Sequence, residues 1–187
     1  LIVLSKFVLE KVKDFEKEVG RLIEKVYVIT DAKCNKFSLS LKNKYDFNQI
    51  TQTDVVKLVN DAKQLVARNN KNYFILHILI DRYILDGKEY LEFPENVKFK
   101  ELIIEISFIT VQNSKVKTLN KILKDCNIEV KKIISHKYSS RFEDKSDISP
   151  CIAGKKVIEG INPSEVTIYN QHTKKLGLFE KMFNFFG

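Results

Sequence analysis

Hydrophobic and polar positions fall into two periods along this chain, and each period picks out its own elements. The most apolar internal run is YFILHILIDRYILD, residues 73–86. Asn69, Asn70 and Asn72 precede it and Asp86-Gly87 closes it, which predicts a long strand in a buried sheet. Residues 102–111, LIIEISFITV, alternate: Leu102, Ile104, Ile106 and Phe108 make an apolar face, and Ile103, Glu105, Ser107 and Ile109 a mixed one. That is the pattern of a sheet covered by helices on one side. A loop containing Gly87 and Pro94 should join the two strands as a hairpin.

The flanking segments supply the covering helices. Ser5 is placed to cap a first helix whose Val8, Val12, Phe15 and Val19 share a face, with Gly20 as its stop. VYVIT and KFSLSL (36–41) read as short strands around a turn at 31–35. Thr51-Gln52-Thr53-Asp54 has a capping-box pattern, followed by a stripe of Val55, Val59, Ala62 and Val66 with Leu58 and Leu65 beside it. Ser114 is expected to cap another helix, burying Val116, Leu119, Ile122, Leu123 and Cys126 and stopping at Asn127. IEVKKII (128–134) reads as a closing strand near an edge, because Lys131 and Lys132 lie within it. From 141 to 173 charge, Pro and Gly mix without periodicity, as in a linker or degenerate region.

The last fourteen residues, KKLGLFEKMFNFFG, return to helical spacing. Leu178, Phe179, Met182, Phe183, Phe185 and Phe186 fall within about half the helical circle, with Glu180, Lys181 and Asn184 opposite. Lys174 and Lys175 stand in front. This predicts an amphipathic helix in a membrane interface, with Lys174, Lys175, Leu178, Phe179, Met182, Phe183, Phe185 and Phe186 as the membrane-binding residues. The competing expectation is a terminal helix docked on the protein body.

The 187 residues suit one domain with attachments or two very small domains, and the net charge of +8 rests mainly on scattered Lys. A solvated basic surface, an acidic partner, anionic lipid and nucleic acid all fit that charge. Cys34, Cys126 and Cys151 are far apart and odd in number, so reduced thiols in a cytoplasmic protein are expected. No run of about 18 apolar residues is present to span a membrane. The chain begins with Leu, as a fragment of a longer reading frame would.

Catalytic signatures are absent from the pattern. There is no glycine-rich phosphate loop, and His77, His136 and His172 have no Cys or acidic neighbours at ligand spacing. His77 reads as a core or rim histidine, and Glu101 and Glu105 as solvent-face residues that keep an apolar strand soluble. Lys137-Tyr138-Ser139-Ser140 offers no activated nucleophile. Lys71, Tyr73 and Phe74, and Lys98, Phe99 and Lys100, pair aromatics with base, but their apolar neighbours make them strand starts rather than stacking platforms. No catalytic residue, metal ligand or cofactor is expected.

The order of these elements, with ITQTDVVKLVNDAKQLV, ILHILIDRYILDG and IIEISFITVQNSKVKTLNKILKDCNIEV, resembles part of the bacterial actin-like cell-division protein FtsA. The similar part is the SHS2 subdomain, also called 1C. The matching positions are Thr53, Asp54, Val55, Val59, Ala62, Ile75, Leu76, His77, Tyr83, Ile84, Asp86 and Gly87, followed by Ile109, Asn113, Leu119, Ile128 and Val130. Ile80, Asp81 and Arg82 depart from the family, which carries Pro-Gln before the Tyr, and Asn127 stands where the family often has Gly. KKLGLFEKMFNFF also resembles the membrane-targeting helix that ends FtsA proteins. The family's phosphate loops have no counterpart, so neither ATP binding nor FtsZ binding is implied.

The resemblance implies an α+β, SHS2-like fold: a small, mostly antiparallel sheet covered by two to three helices, plus a C-terminal amphipathic helix. Its expected divisions are an N-terminal helix at 1–20 left from an actin-like subdomain, the SHS2 domain at 21–140, the linker at 141–173 and the membrane helix at 174–187. The implied role is that of a truncated, non-catalytic FtsA-like protein linking division-machinery partners, or further copies of itself, to the inner membrane surface. It would be a cytoplasmic protein, peripheral on the inner face of that membrane at the division site. The rivals are a degenerate remnant without function and a basic SHS2-type module binding protein or nucleic acid, nucleic acid being the least expected partner.

Overall fold

The computed structural model of the protein describes residues 2–49, 51–144 and 148–166. Along them run α1 (Ile2–Val19), β1 (Lys25–Thr30), β2 (Asn35–Gln49), α2 (Gln52–Asn69), β3 (Tyr73–Leu85), β4 (Lys88–Tyr90), β5 (Lys98–Gln112), α3 (Asn113–Asp125), β6 (Glu129–Ser135), α4 (His136–Ser139) and α5 (Pro150–Ile158). A short 3-10 turn, Ser140–Phe142, follows α4. The fold is α+β, with a mostly antiparallel four-stranded sheet in the order β2-β5-β3-β4 and a two-stranded parallel sheet of β1 and β6. The chain forms two compact units.

The first unit takes in the described residues of 1–34, 71–76 and 111–159. Its parallel strands pair from Lys25↔Glu129 to Thr30↔Ser135, with one irregularity between Val26 and Tyr27. Leu76, Val111, Val116 and Ile133 form one cluster of its core, packed by Val28, Ala32, Cys34, Leu119 and Val130. The predicted Ser5 cap is corrected, because α1 already runs from Ile2 and Ser5 lies inside it. Its half-buried stripe is Ser5, Val8, Leu9, Val12 and Glu16, so Phe15 and Val19 stay exposed. Glu16 belongs to the stripe because its Oε1 accepts a hydrogen bond from Ile23 N at 2.8 Å, closing the turn after Gly20. Ser114 likewise does not cap α3. Gln112 is the cap residue without a side-chain bond, and Asn113 N donates to Asn72 O at 2.7 Å instead. Asn127, at φ 59°, ends α3 as expected.

The stretch read as a linker contains α5. Ser149 caps it by accepting from Ile152 N, and Pro150 stands in the first turn, where its missing N–H costs nothing. Ala153, Gly154 and Val157 are buried. A Cβ on Gly154 would lie 2.6 Å from Ile29 Cδ1, so the glycine lets α5 close onto β1.

The second unit takes in 35–70, 77–110 and the described residues from 160. Here α2 starts with the predicted capping box: Thr51 Oγ1 accepts from Asp54 N, and Asp54 Oδ2 accepts from Thr51 N at 3.0 Å. It packs on β2 and buries Val55, Leu58, Val59, Ala62 and Val66, whereas Leu65 is exposed. β2 is longer than the predicted 36–41, because its alternation continues through Tyr45 against β5. Leu102, Ile104, Ile106 and Phe108 are completely buried. Each such side chain contributes roughly 1.5–3 kcal/mol of apolar transfer. β3 and β5 are neighbours, as the predicted hairpin requires. The loop between them holds a further strand: Asp86 and Gly87, at φ 47° and 85°, turn the chain tightly into β4 on the other side of β3.

Candidate functional site

Polar chemistry in the second unit gathers on β3, where the chain from 160 onward returns to it. Asn162-Pro163 makes the turn, with Asn162 Oδ1 accepting from Ser164 N at 3.0 Å and Asn162 O accepting from Glu165 N at 3.0 Å. Residues 164–166 then lie along β3. Ile80 N donates to Ser164 O and Val166 N to Ile78 O, both at 2.9 Å, with Leu79 opposite Glu165 in an antiparallel bridge. The Glu165 side chain turns inward, and its Oε1 lies 2.9 Å from His77 Nδ1. The side chains are 0% and 7% exposed, so this is a pair removed from water. His77 is therefore a core histidine, as expected, with a carboxylate partner that local spacing does not reveal. The available signal was the Asn-Pro turn followed by an isolated acid.

Beside it, Asp81 and Arg82 carry cross-strand ties. Ser107 Oγ donates to Asp81 Oδ2 and lies 3.1 Å from Ser38 Oγ. Arg82 Nε donates to Glu105 Oε2 at 2.7 Å and its NH1 to Glu89 Oε2 at 2.9 Å. These two carboxylates raise the Arg82 guanidinium further above its ordinary pKa. Glu101 lies 2.7 Å from Lys42 Nζ. Glu101 and Glu105 are half-buried, and each is held in an ion pair with a partly exposed base.

Several other sequence-selected positions have structural work here. Asp54 caps α2 together with Thr51, and Val55, Val59, Ala62, Leu76 and Tyr83 are buried. Asp86 Oδ1 accepts from Lys100 N at 3.1 Å and Glu101 N at 2.8 Å, which fixes the turn to β5. Burial pushes the Tyr83 phenol up to about 12, and its ring meets Phe93 edge to face at 5.9 Å.

In the first unit His136 lies between two carboxylates, Nδ1 at 3.5 Å from Asp31 Oδ1 and Nε2 at 3.6 Å from Glu143 Oε1. The adjacent hydroxyls are committed to backbone: Ser139 Oγ donates to His136 O and Ser140 Oγ to Lys137 O. Tyr138 is buried against Phe142. Among the described residues, no group of three or more His, Cys, Asp or Glu side chains is placed to hold a metal ion. Phe99 is fully buried against Tyr45, so the Lys98-Phe99-Lys100 aromatic has no face to offer a base. Phe74 is exposed and Tyr73 half-buried.

The predicted membrane-binding residues Lys174, Lys175, Leu178, Phe179, Met182, Phe183, Phe185 and Phe186, and His172, lie outside the described residues. No helix among the described residues is long and apolar enough to cross a membrane. Comparison with protein-family models and with curated proteins found no match to this chain.

Proposed function

We propose that the protein is a non-catalytic, FtsA-like membrane adaptor. Its SHS2-like domain contacts division-machinery proteins or further copies of the chain, and residues 174–187 settle on the inner face of the cytoplasmic membrane. The observation that carries this reading is the Phe-rich amphipathic pattern of 174–187 behind its lysine pair. The docking of 164–166 on β3 supports it, because a load on the C-terminal segment is passed to the central sheet through backbone bonds and the His77–Glu165 pair. A segment of this length is marginal as a helix in water and gains its helicity at an interface. One copy binds weakly, and several copies in an assembly hold by avidity.

The test is vesicle flotation with the full chain, the F179S/F183S/F186S variant and a chain ending at Thr173. The full chain is expected to float with phosphatidylcholine–phosphatidylglycerol vesicles and both variants to stay at the bottom of the gradient. Flotation by the variants equal to that of the full chain overturns the anchor.

A further inference from the structure

We propose that the outward face of α3 is a second attachment surface, binding the phosphate headgroups of an anionic bilayer through Lys117, Lys121 and Lys124. This rests on the membrane reading above.

The helix is one-sided. Val116, Ile122 and Leu123 are buried and Leu119 half-buried, which sets its inner side. At about 100° per residue, Lys117, Lys121 and Lys124 fall within about 60° of one another on the opposite side, spanning about 10 Å of helix axis. All three are exposed. The spacings i, i+4 and i+7 place like charges one above another, an arrangement that disfavours a helix unless something anionic offsets it. Nothing does within the described residues. Among the described residues none of the three makes an ion pair, although Asp125 stands four positions after Lys121. What sets these lysines apart is that they stand together on one helical face, whereas some lysines elsewhere are paired with acids, as in Lys42–Glu101, Lys131–Glu129 and Lys156–Asp144. Lys115, also exposed, brings the helix to four lysines against one acid.

Charge complementarity thus calls for an extended anionic partner. Two features favour lipid over single-stranded nucleic acid. The helix carries no aromatic side chain on which a base can stack. Its outward face is Lys, Thr, Asn and Ser without an apolar residue, which suits contact with a plane of headgroups and no insertion. Insertion belongs to the Phe-rich segment, and the lysines supply preference for negative lipid.

The experiment measures partition of the full chain onto vesicles of phosphatidylcholine alone and of phosphatidylcholine with phosphatidylglycerol. K117Q/K121Q/K124Q is expected to lower partition onto the mixed vesicles about tenfold or more while leaving the neutral vesicles unchanged. Raising the salt should erase the difference. The K33Q/K57Q/K98Q variant removes the same three charges from exposed positions elsewhere and is expected to lose much less. Equal losses from both triple variants, or none from the first, overturn the proposal. Loss of single-stranded DNA binding with vesicle partition intact makes the face a nucleic-acid surface and also overturns it. Failure of the Phe-rich anchor shows instead as unaltered partition of F179S/F183S/F186S on neutral vesicles. Because the substituted lysines are exposed and repel one another, K117Q/K121Q/K124Q should unfold at or above the wild-type temperature.

Discussion

The imidazole of His77 and the carboxylate of Glu165 meet at 2.9 Å across 88 positions of chain. With both side chains shielded from water, removing one leaves the other buried without that partner. Glu165→Ala is therefore expected to cost about 1–3 kcal/mol of unfolding free energy, beyond the roughly 0.5 kcal/mol of an ordinary surface change. A double-mutant cycle with His77→Phe, followed by urea denaturation, should return a coupling of about 1 kcal/mol or more. Amide exchange at Ile80 and Val166 should quicken in Glu165→Ala, since both amides lie in the strip this pair clamps. Additive single mutants with unchanged exchange would remove the clamp from the account.

Asp86 does two jobs at once. It holds a left-handed φ of 47°, and its carboxylate receives the backbone N–H groups of Lys100 and Glu101. Asp86→Ala loses the acceptor and leaves the left-handed φ to a residue with no side-chain hydrogen bond to offset it. The expected cost is about 2 kcal/mol. Asp86→Asn keeps an acceptor and tolerates the same backbone, so it should cost less than half as much. Equal losses from the two substitutions in thermal unfolding would show that neither the φ nor the amides matter.

Local chemistry explains what was readable in the chain. The Thr51–Asp54 box and the Asp86-Gly87 turn are decided within four residues, and both form as their sequences predict. The alternation of 102–108 survives folding because a strand places successive side chains on opposite faces. What was missed is decided at a distance. α1 and α3 take their starts from partners other than Ser5 and Ser114, and α5 is short, with a glycine at its centre that only Ile29 explains. The His77–Glu165 pair and the Asp81–Ser107 tie join residues that no spacing rule connects. The Phe-rich segment lies outside the described residues, so its role rests on pattern and on the experiments above.

Gly154 and Ile29 make a steric pair that a cycle can isolate. An added Cβ would stand 2.6 Å from Ile29 Cδ1 and 3.0 Å from its Cγ1. In the interior of α5, Ala also gains roughly 1 kcal/mol of helix propensity over Gly. Gly154→Ala alone should therefore come out near neutral or slightly destabilising, and Gly154→Val should lose about 1–3 kcal/mol by overpacking. Ile29→Val removes the Cδ1 atom that clashes. Gly154→Ala combined with Ile29→Val should be more stable than the sum of the single changes, by about 0.5 kcal/mol or more in urea unfolding. Strict additivity would mean that α5 does not close on β1 through these two residues.

Tyr83 sets an alkaline limit on stability. Burial raises its phenol from 10.0 to about 12. Below pH 10 the group is protonated in both the folded and the unfolded chain, and its contribution is fully present. Between pH 10 and 12 the unfolded chain releases the proton while the folded one retains it. Stability then falls as pH rises, by about 1.4 kcal/mol per pH unit and roughly 2–3 kcal/mol in all. Tyr83→Phe keeps the ring that packs on Phe93 and removes the titration. The variant should track the wild type at pH 8 and then decline less steeply, so that it becomes relatively more stable by pH 11. Denaturant midpoints taken from pH 8 to pH 11.5 measure the two slopes, and parallel curves would show that Tyr83 titrates as it does in the unfolded chain.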